Sequence, residues 1–366
     1  MTSTPEAQTP DHQTSQPQGP DPQTNESATE LPPSRRPTMQ AITQDRYGSP
    51  DVLSLRQVDR PEPADDEVLV RVIAASVNPY DWHMIRGVPY FIRLMFGFRA
   101  PKHPIPGADF AGVVEMIGAD VTDFSIGDEV FGGTGSGTLA EYVAVAQRNV
   151  VHKPSNVTFE QASGVAMTGI TALQALRDTG KLVSGQQVLV NGASGGVGSM
   201  AVQMAKAMGA RVTAVCSTRN VGTVKDLGAD HVVDYTQEDF VKGDSAYDLI
   251  IDVVGNRTMA DYRAALTDEG TYVGLGQADM GDWIGPLTFV GKVALGSIGR
   301  SQSMSMMTAQ NSKEDFLVLA DMLRTGAIRP VIDREYPLAK ASDAVRYLEE
   351  GHAQGKVIVT VSQLGS

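Results

Sequence analysis

The chain has 366 residues, enough for about two domains, and 42% of them are apolar, so a buried core is expected. A formal net charge of −13 has the wrong sign for a protein that grips nucleic acid by its phosphates. Its single cysteine, Cys216, excludes an internal disulfide and a multi-cysteine zinc module, and no apolar run reaches the roughly 18 residues of a spanning helix.

Residues 1–38 are rich in Pro, Gln, Thr and Ser and hold almost nothing to bury, which predicts a disordered tail. Arg35-Arg36 leads into no apolar stretch, so no export signal is read and a cytoplasmic location is expected, and the lack of a long apolar run leaves no membrane partner expected. From 39 to 160 the chain reads as short strands, 67–74, 110–117 and 141–145 among them, punctuated by Gly and Pro. This predicts a β-rich, barrel-like domain. From 161 to 300 the pattern alternates. A helix over 160–176 leads to strand 187–191, helix 198–208, strand 211–216, helix 221–227 and strand 230–234. Strands 248–254 and 270–275 follow, with a helix over 259–266 between them. Alternation of this kind predicts parallel βαβ units in a doubly wound sheet, so the fold class is α/β. Residues 301–366 carry helices near 312–324 and 340–349 and a strand at 356–361, expected to return to the first domain.

The segment from Asn191 to Gly198 (NGASGGVG) follows a strand and opens a helix, the context of a dinucleotide-binding turn. Ala193, Ser194, Gly195, Gly196, Val197 and Gly198 are its candidate contacts. Small residues admit a pyrophosphate to the backbone, and the helix start offers free N–H groups. The tip of the next strand selects the cofactor. Ser217-Thr218-Arg219-Asn220 stands there without an acid. A hydroxyl and a guanidinium suit a 2′-phosphate, which favours NADPH, with Ser217 and Arg219 as the readers. The other reading of Arg219 is a solvated surface residue.

Several segments resemble the medium-chain dehydrogenase/reductase superfamily in its zinc-independent, quinone oxidoreductase-like branch. They are Ser76-Val-Asn-Pro-Tyr-Asp81 with Arg86-Gly87, the run 106–114 (PGADFAGVV), Gly127-Asp-Glu-Val-Phe131, the glycine turn, and Leu348-Glu-Glu-Gly351 with Gly355-Lys356-Val-Ile-Val. The resemblance covers 39–361. It implies a GroES-like catalytic domain over 39–160, a Rossmann NADP-binding domain over 161–300 and the C-terminal return over 301–366. It also implies a homodimer, and a small electrophilic substrate, a quinone or an α,β-unsaturated carbonyl. Zinc relatives place ligands where this chain has Asn78 and Ala108, and neither residue binds zinc, so no metal is expected. His83 and His103 read as loop residues.

The resemblance places Asn78 and Tyr80 at the active site. The Asn78 amide is a candidate donor to a developing oxyanion. Tyr80 reads either as a second donor or proton source, or as a packed wall. Asp81 reads as an acceptor that orders the turn. For the nicotinamide the resemblance implies Thr168, Thr171, Val254, Gly255, Gly274, Leu275 and Gly276. It puts Tyr235 near the adenosine 2′-phosphate and Lys356 on the cofactor. The Met- and aromatic-rich stretch 280–307 reads as pocket lining or as a dimer edge, and Phe91, Leu94, Met95, Phe96 and Phe98 as a pocket lid. The alternatives are an enoyl-thioester reductase, an NAD(P)-dependent alcohol dehydrogenase, and a non-catalytic NADPH-binding protein.

Overall fold

A strand covered on both faces carries an unbroken apolar run, as Gln187–Asn191 does at Val188–Val190 and Tyr247–Asp252 does at Leu249–Ile251. In the computed structural model, which describes residues 37–242, 246–275 and 301–362, these two strands lie side by side in a parallel sheet. Its spatial order is His231–Asp234, Arg211–Cys216, Gln187–Asn191, Tyr247–Asp252, Leu266–Gly274 and Ser303–Met306. Every pairing in it is parallel. The sheet therefore continues past residue 300, and Met304 is buried in its edge strand.

The second sheet is mostly antiparallel. Its order is Ile332–Pro337, Lys356–Thr360, Glu67–Val77, Asp109–Ile117, Glu129–Gly133 and Val150–His152, with Tyr142–Ala146 also on Glu67–Val77. The strand Lys356–Thr360 pairs with Glu67–Val77 through Val357 opposite Val77. The return expected from the sequence is thus an interior strand of this sheet. The hairpin Thr38–Thr43 with Ser54–Asp59 joins it at Ala41 and Ala140. One apolar core crosses between the two sheets, with Ile73, Phe131 and Ile358 sharing it with Ile170, Leu173 and Val190.

Two local departures from the expected elements position the site. A helix, Pro79–Arg86, stands where a turn was expected. Proline at its first position needs no N–H partner, the Asp81 carboxylate accepts the Asn78 N–H at 2.7 Å, and Gly87 at φ +64° ends it. The helix expected over 160–176 is broken. Phe159–Ser163 stops at Gly164, Ala166–Gln174 restarts the helix, and Ala175–Thr179 widens into a π turn. A Cβ at Gly164 would press on the Lys356 stem at 3.2 Å.

Candidate functional site

The glycine turn joins the strand Gln187–Asn191 to the helix Gly196–Ala207. Its glycines divide by role. Gly192 sits at φ +86°, and a Cβ at Gly198 would collide with the Gly192 carbonyl, so both are required by the chain's own packing. A Cβ at Gly195 would meet nothing closer than 3.6 Å. There the missing side chain leaves room for a ligand beside the first-turn N–H groups of Gly196, Val197 and Gly198, which have no intrahelical acceptor. Ala193 is buried and its N–H bonds to Val215.

Ser194 and Ser217 face one another across Asn220, whose Nδ2 donates to both hydroxyls at 2.9 and 3.2 Å. Asn220 Oδ1 is buried with no partner. Arg219 is exposed and donates to the His352 carbonyl at 3.3 Å, bridging to the C-terminal segment. Tyr235 is exposed just after the third strand of the parallel sheet. Beside it lies a carboxylate the sequence reading passed over. Asp234 accepts from Thr218 Oγ1 at 2.6 Å and from Thr236 and Gln237, and these bonds, Thr218's foremost, hold it well below the usual carboxylate range.

The loop expected at the nicotinamide is organised by a second overlooked acid. Asp252 ends its strand fully buried. It accepts from Asn191 Nδ2, from the Tyr272 hydroxyl and from the N–H groups of Val254 and Gly255. Leu275 N–H bonds to its carbonyl. Gly274 packs against Met306, and Gly276 lies outside the described residues, as does 280–300 of the Met-rich stretch. Thr168 and Thr171 turn their hydroxyls to the carbonyls of Gly164 and Met167 in their own helix. A charged residue directly after the apolar run Leu249–Ile251 was the available signal for Asp252.

Asn78 and Lys356, 278 residues apart, meet in a buried polar cluster. The Lys356 ammonium donates to Asn78 Oδ1 at 2.6 Å, and Asn78 Nδ2 donates to Asp109 Oδ2 at 3.1 Å. Asp109 also accepts from Ser76 Oγ and from the Met167 N–H, and lies 3.7 Å from the ammonium. All three side chains are no more than 3% exposed. Burial pushes the Asp109 carboxyl up and the Lys356 ammonium down, and each group's charge opposes the other's shift. Asp81, close by, has its carboxyl raised to about 7, first by burial. Lys356 was expected on the cofactor. Its ammonium donates to Asn78 and lies beside Asp109, and its stem passes 3.3 Å from where a Gly196 Cβ would be.

Tyr80, rather than Asn78, lines the adjoining cavity of 290 Å³, together with Tyr47, Met84, Phe96, Pro106 and Thr134. Its hydroxyl donates to the Gly135 carbonyl at 3.1 Å. Burial raises the hydroxyl's pKa, so it stays protonated through the neutral range. Of the expected lid residues only Phe96 lines this cavity, while Leu94, Met95 and Phe98 point to solvent. Among the described residues no group of three or more His, Cys, Asp or Glu has the spacing of a metal site.

Two family models match. One described as "Alcohol dehydrogenase GroES-like domain" covers residues 64–155, and one described as "Zinc-binding dehydrogenase" covers 227–359. The chain is 35% identical to a Mus musculus protein named NAD(P)H oxidoreductase RTN4IP1, mitochondrial, over 90% of each chain. It is 32% identical to the Arabidopsis thaliana NADPH-dependent alkenal/one oxidoreductase, chloroplastic, over 88% of this chain and 79% of that one. The solved quinone oxidoreductase from Coxiella burnetii superposes with a TM-score of 0.78 at 30% identity, over 89% of this chain and all of that one.

Proposed function

The chain belongs to the medium-chain dehydrogenase/reductase superfamily, in its quinone oxidoreductase-like branch, and on that premise we propose that it reduces a quinone or an α,β-unsaturated carbonyl with NADPH and without a metal. It is an oxidoreductase of the nicotinamide-dependent kind. The observation that carries the finer reading is the small cavity walled by Tyr80, placed beside the buried Asn78–Asp109–Lys356 cluster that reaches the glycine turn.

Bound NADPH supplies the hydride. The protein's part is to hold the acceptor, keep water away and steady the oxygen on which negative charge grows. The Tyr80 hydroxyl is a donor on the cavity wall, alongside Gln44, whose Nε2 is buried without a partner, and an acceptor oxygen bound there competes with the Gly135 carbonyl for the Tyr80 hydrogen. Asn78, the other candidate donor, has its amide engaged at both ends, so its contribution runs through the position of the turn that carries Tyr80. On the adenosine side, Ser194, Ser217 and Arg219 offer two hydroxyls and a guanidinium to a 2′-phosphate. Asp234 does not compete for that role, because its oxygens are taken by Thr218, Thr236 and Gln237.

The residues do not fit a zinc ion. Where zinc relatives place a ligand, Asn78 offers an amide oxygen that already accepts from an ammonium, and Ala108 offers nothing. A second cation beside Lys356 would be repelled. Hydride transfer to an electrophilic acceptor needs no Lewis acid, and without one the oxidation of an unactivated alcohol becomes hard.

The test is NADPH oxidation against quinones, enones, crotonyl thioesters and saturated alcohols, with zinc measured after dialysis. Turnover of quinones and enones with well below one zinc per chain is expected. Turnover of the thioester alone would favour an enoyl-thioester reductase. Stoichiometric zinc with activity lost to chelator, or no turnover at all, would overturn the proposal.

A further inference from the structure

Between Arg86 and Asp109 the chain has no acidic residue, yet it holds Arg93, Arg99 and Lys102 in a protein of net charge −13. The same stretch contributes four of the exposed large apolar side chains. Phe91 is 41% exposed, Leu94 76%, Met95 67% and Phe98 73%. Arg99 and Lys102 beside them are exposed too. Concentrating apolar surface and positive charge in one short segment is not what solubility requires of an acidic protein.

The segment is not loosely attached. Arg93 lies over the rings of Tyr47 and Tyr90, at 4.7 and 4.6 Å from their centroids. It also donates to the carbonyls of Gly87 and Arg86. The Tyr47 hydroxyl holds the Gly97 carbonyl at 2.7 Å, and Lys102 N–H bonds to Phe96. One arginine is thus spent on the inside to fix the loop, while the apolar side chains stand outside.

We infer that this segment is a docking surface for an anionic lipid bilayer, with Leu94, Met95 and Phe98 entering the headgroup region and Arg99 and Lys102 meeting the lipid charge. Charge selects this partner. An acidic chain is repelled by such a bilayer except where its cations face the surface, which makes the contact orientation-specific. A handful of inserted apolar groups beside cations is what an interfacial anchor uses. Phe96 and Pro101 of the same segment line the Tyr80 cavity, so docking brings the cavity wall to the lipid, where apolar acceptors dissolve. The expectation of no membrane partner rested on the lack of a long apolar run, which bears on spanning and not on surface docking.

Co-sedimentation of the full chain with vesicles tests this. Vesicles of phosphatidylcholine with phosphatidylglycerol should bind it at least tenfold more tightly than phosphatidylcholine alone, with loss as salt rises. Leu94→Ser with Met95→Ser and Phe98→Ser should lower binding more than tenfold at an unchanged melting temperature. Arg99→Glu with Lys102→Glu should abolish the preference for the anionic vesicle. Equal binding to both vesicles, or a triple variant that binds like the parent, would overturn the inference. So would a parent dimer that the triple variant dissolves while neither form pellets, which would make the patch an interface between copies. The measurement needs neither cofactor nor turnover. A chain that pellets with anionic vesicles yet reduces no acceptor would refute the proposed reaction and leave the docking surface standing.

Discussion

The two ends of the candidate site are built on opposite terms. At the Asn78 end, Asp109, Lys356, Ser76 and the Met167 N–H are tied to one another and to Asn78 inside the protein, with almost no surface left over, and Asp81 Oδ1 beside them is buried without a partner. At the other end, beyond the glycine turn, Ser194, Ser217, Arg219 and Tyr235 are tied down lightly and stand partly in solvent, and Asn220 keeps a buried oxygen without a partner. A polar group that is fully partnered is first a part of the fold, and one left with free capacity is available to a ligand. Substitutions at the first end should therefore register in stability, and those at the second in cofactor choice.

The largest effect tests the closed end. Lys356→Met strands the Asp109 carboxyl and Asn78 Oδ1 in the interior, and should cost about 3–5 kcal/mol in urea unfolding. Adding Asp109→Asn should recover part of that loss, and a single-variant cost below about 1 kcal/mol would show that the cluster carries no buried charge pair. Beside the closed end, on the cavity wall, stands Tyr80. Tyr80→Phe should lower kcat for an enone about 10²-fold with KM changed less, and should affect a more electrophilic quinone less. Equal kcat for both proteins on the enone would return Tyr80 to the status of a wall residue. The open end is probed by Arg219→Ala, which should weaken NADPH by about 1.5–2 kcal/mol and leave NADH nearly unchanged in titration.

The smallest effect concerns pH. The Asp81 carboxyl binds its proton more tightly folded than unfolded, so its contribution to stability is present at low pH and is lost as pH rises toward about 7. Asp81→Asn keeps an oxygen for the Asn78 N–H but has no proton to lose. Relative to the parent, its unfolding free energy should gain on the order of 1 kcal/mol between pH 5 and pH 8. A difference that does not change with pH would mean that Asp81 is ionised throughout.

The readability of each end follows from how far its contacts reach along the chain. The glycine turn, the strands beside it and the Ser217–Asn220 tip lie within one βαβ unit, where periodicity and turn chemistry are local. Asn78 could be singled out as a position, but its partner Lys356 comes from a strand at the far end of the sequence, and no local pattern announces that meeting. The helix Pro79–Arg86 was legible in principle, because Asn78, Pro79, Asp81 and Gly87 are start and stop signals; reading the stretch only as a turn hid it. Asp252 and Asp109 were passed over for another reason. A carboxylate in an apolar strand looks like an exception until the backbone amides and side chains that surround it are known.

The strand Lys356–Thr360 lies inside the second sheet, between Ile332–Pro337 and Glu67–Val77. The β-rich half of the chain is therefore missing an interior strand until residues 356–360 have left the ribosome. Closing a loop between Val77 and Val357 carries a chain-entropy cost that local βαβ pairing avoids, so the parallel sheet should consolidate first and the β-rich half last. In that interval the Ala74–Val77 end of the strand has an unpaired edge that can act as a template. A chain cut short before Lys356 would keep that edge open permanently, and its characteristic failure should be aggregation rather than a folded protein with weak activity.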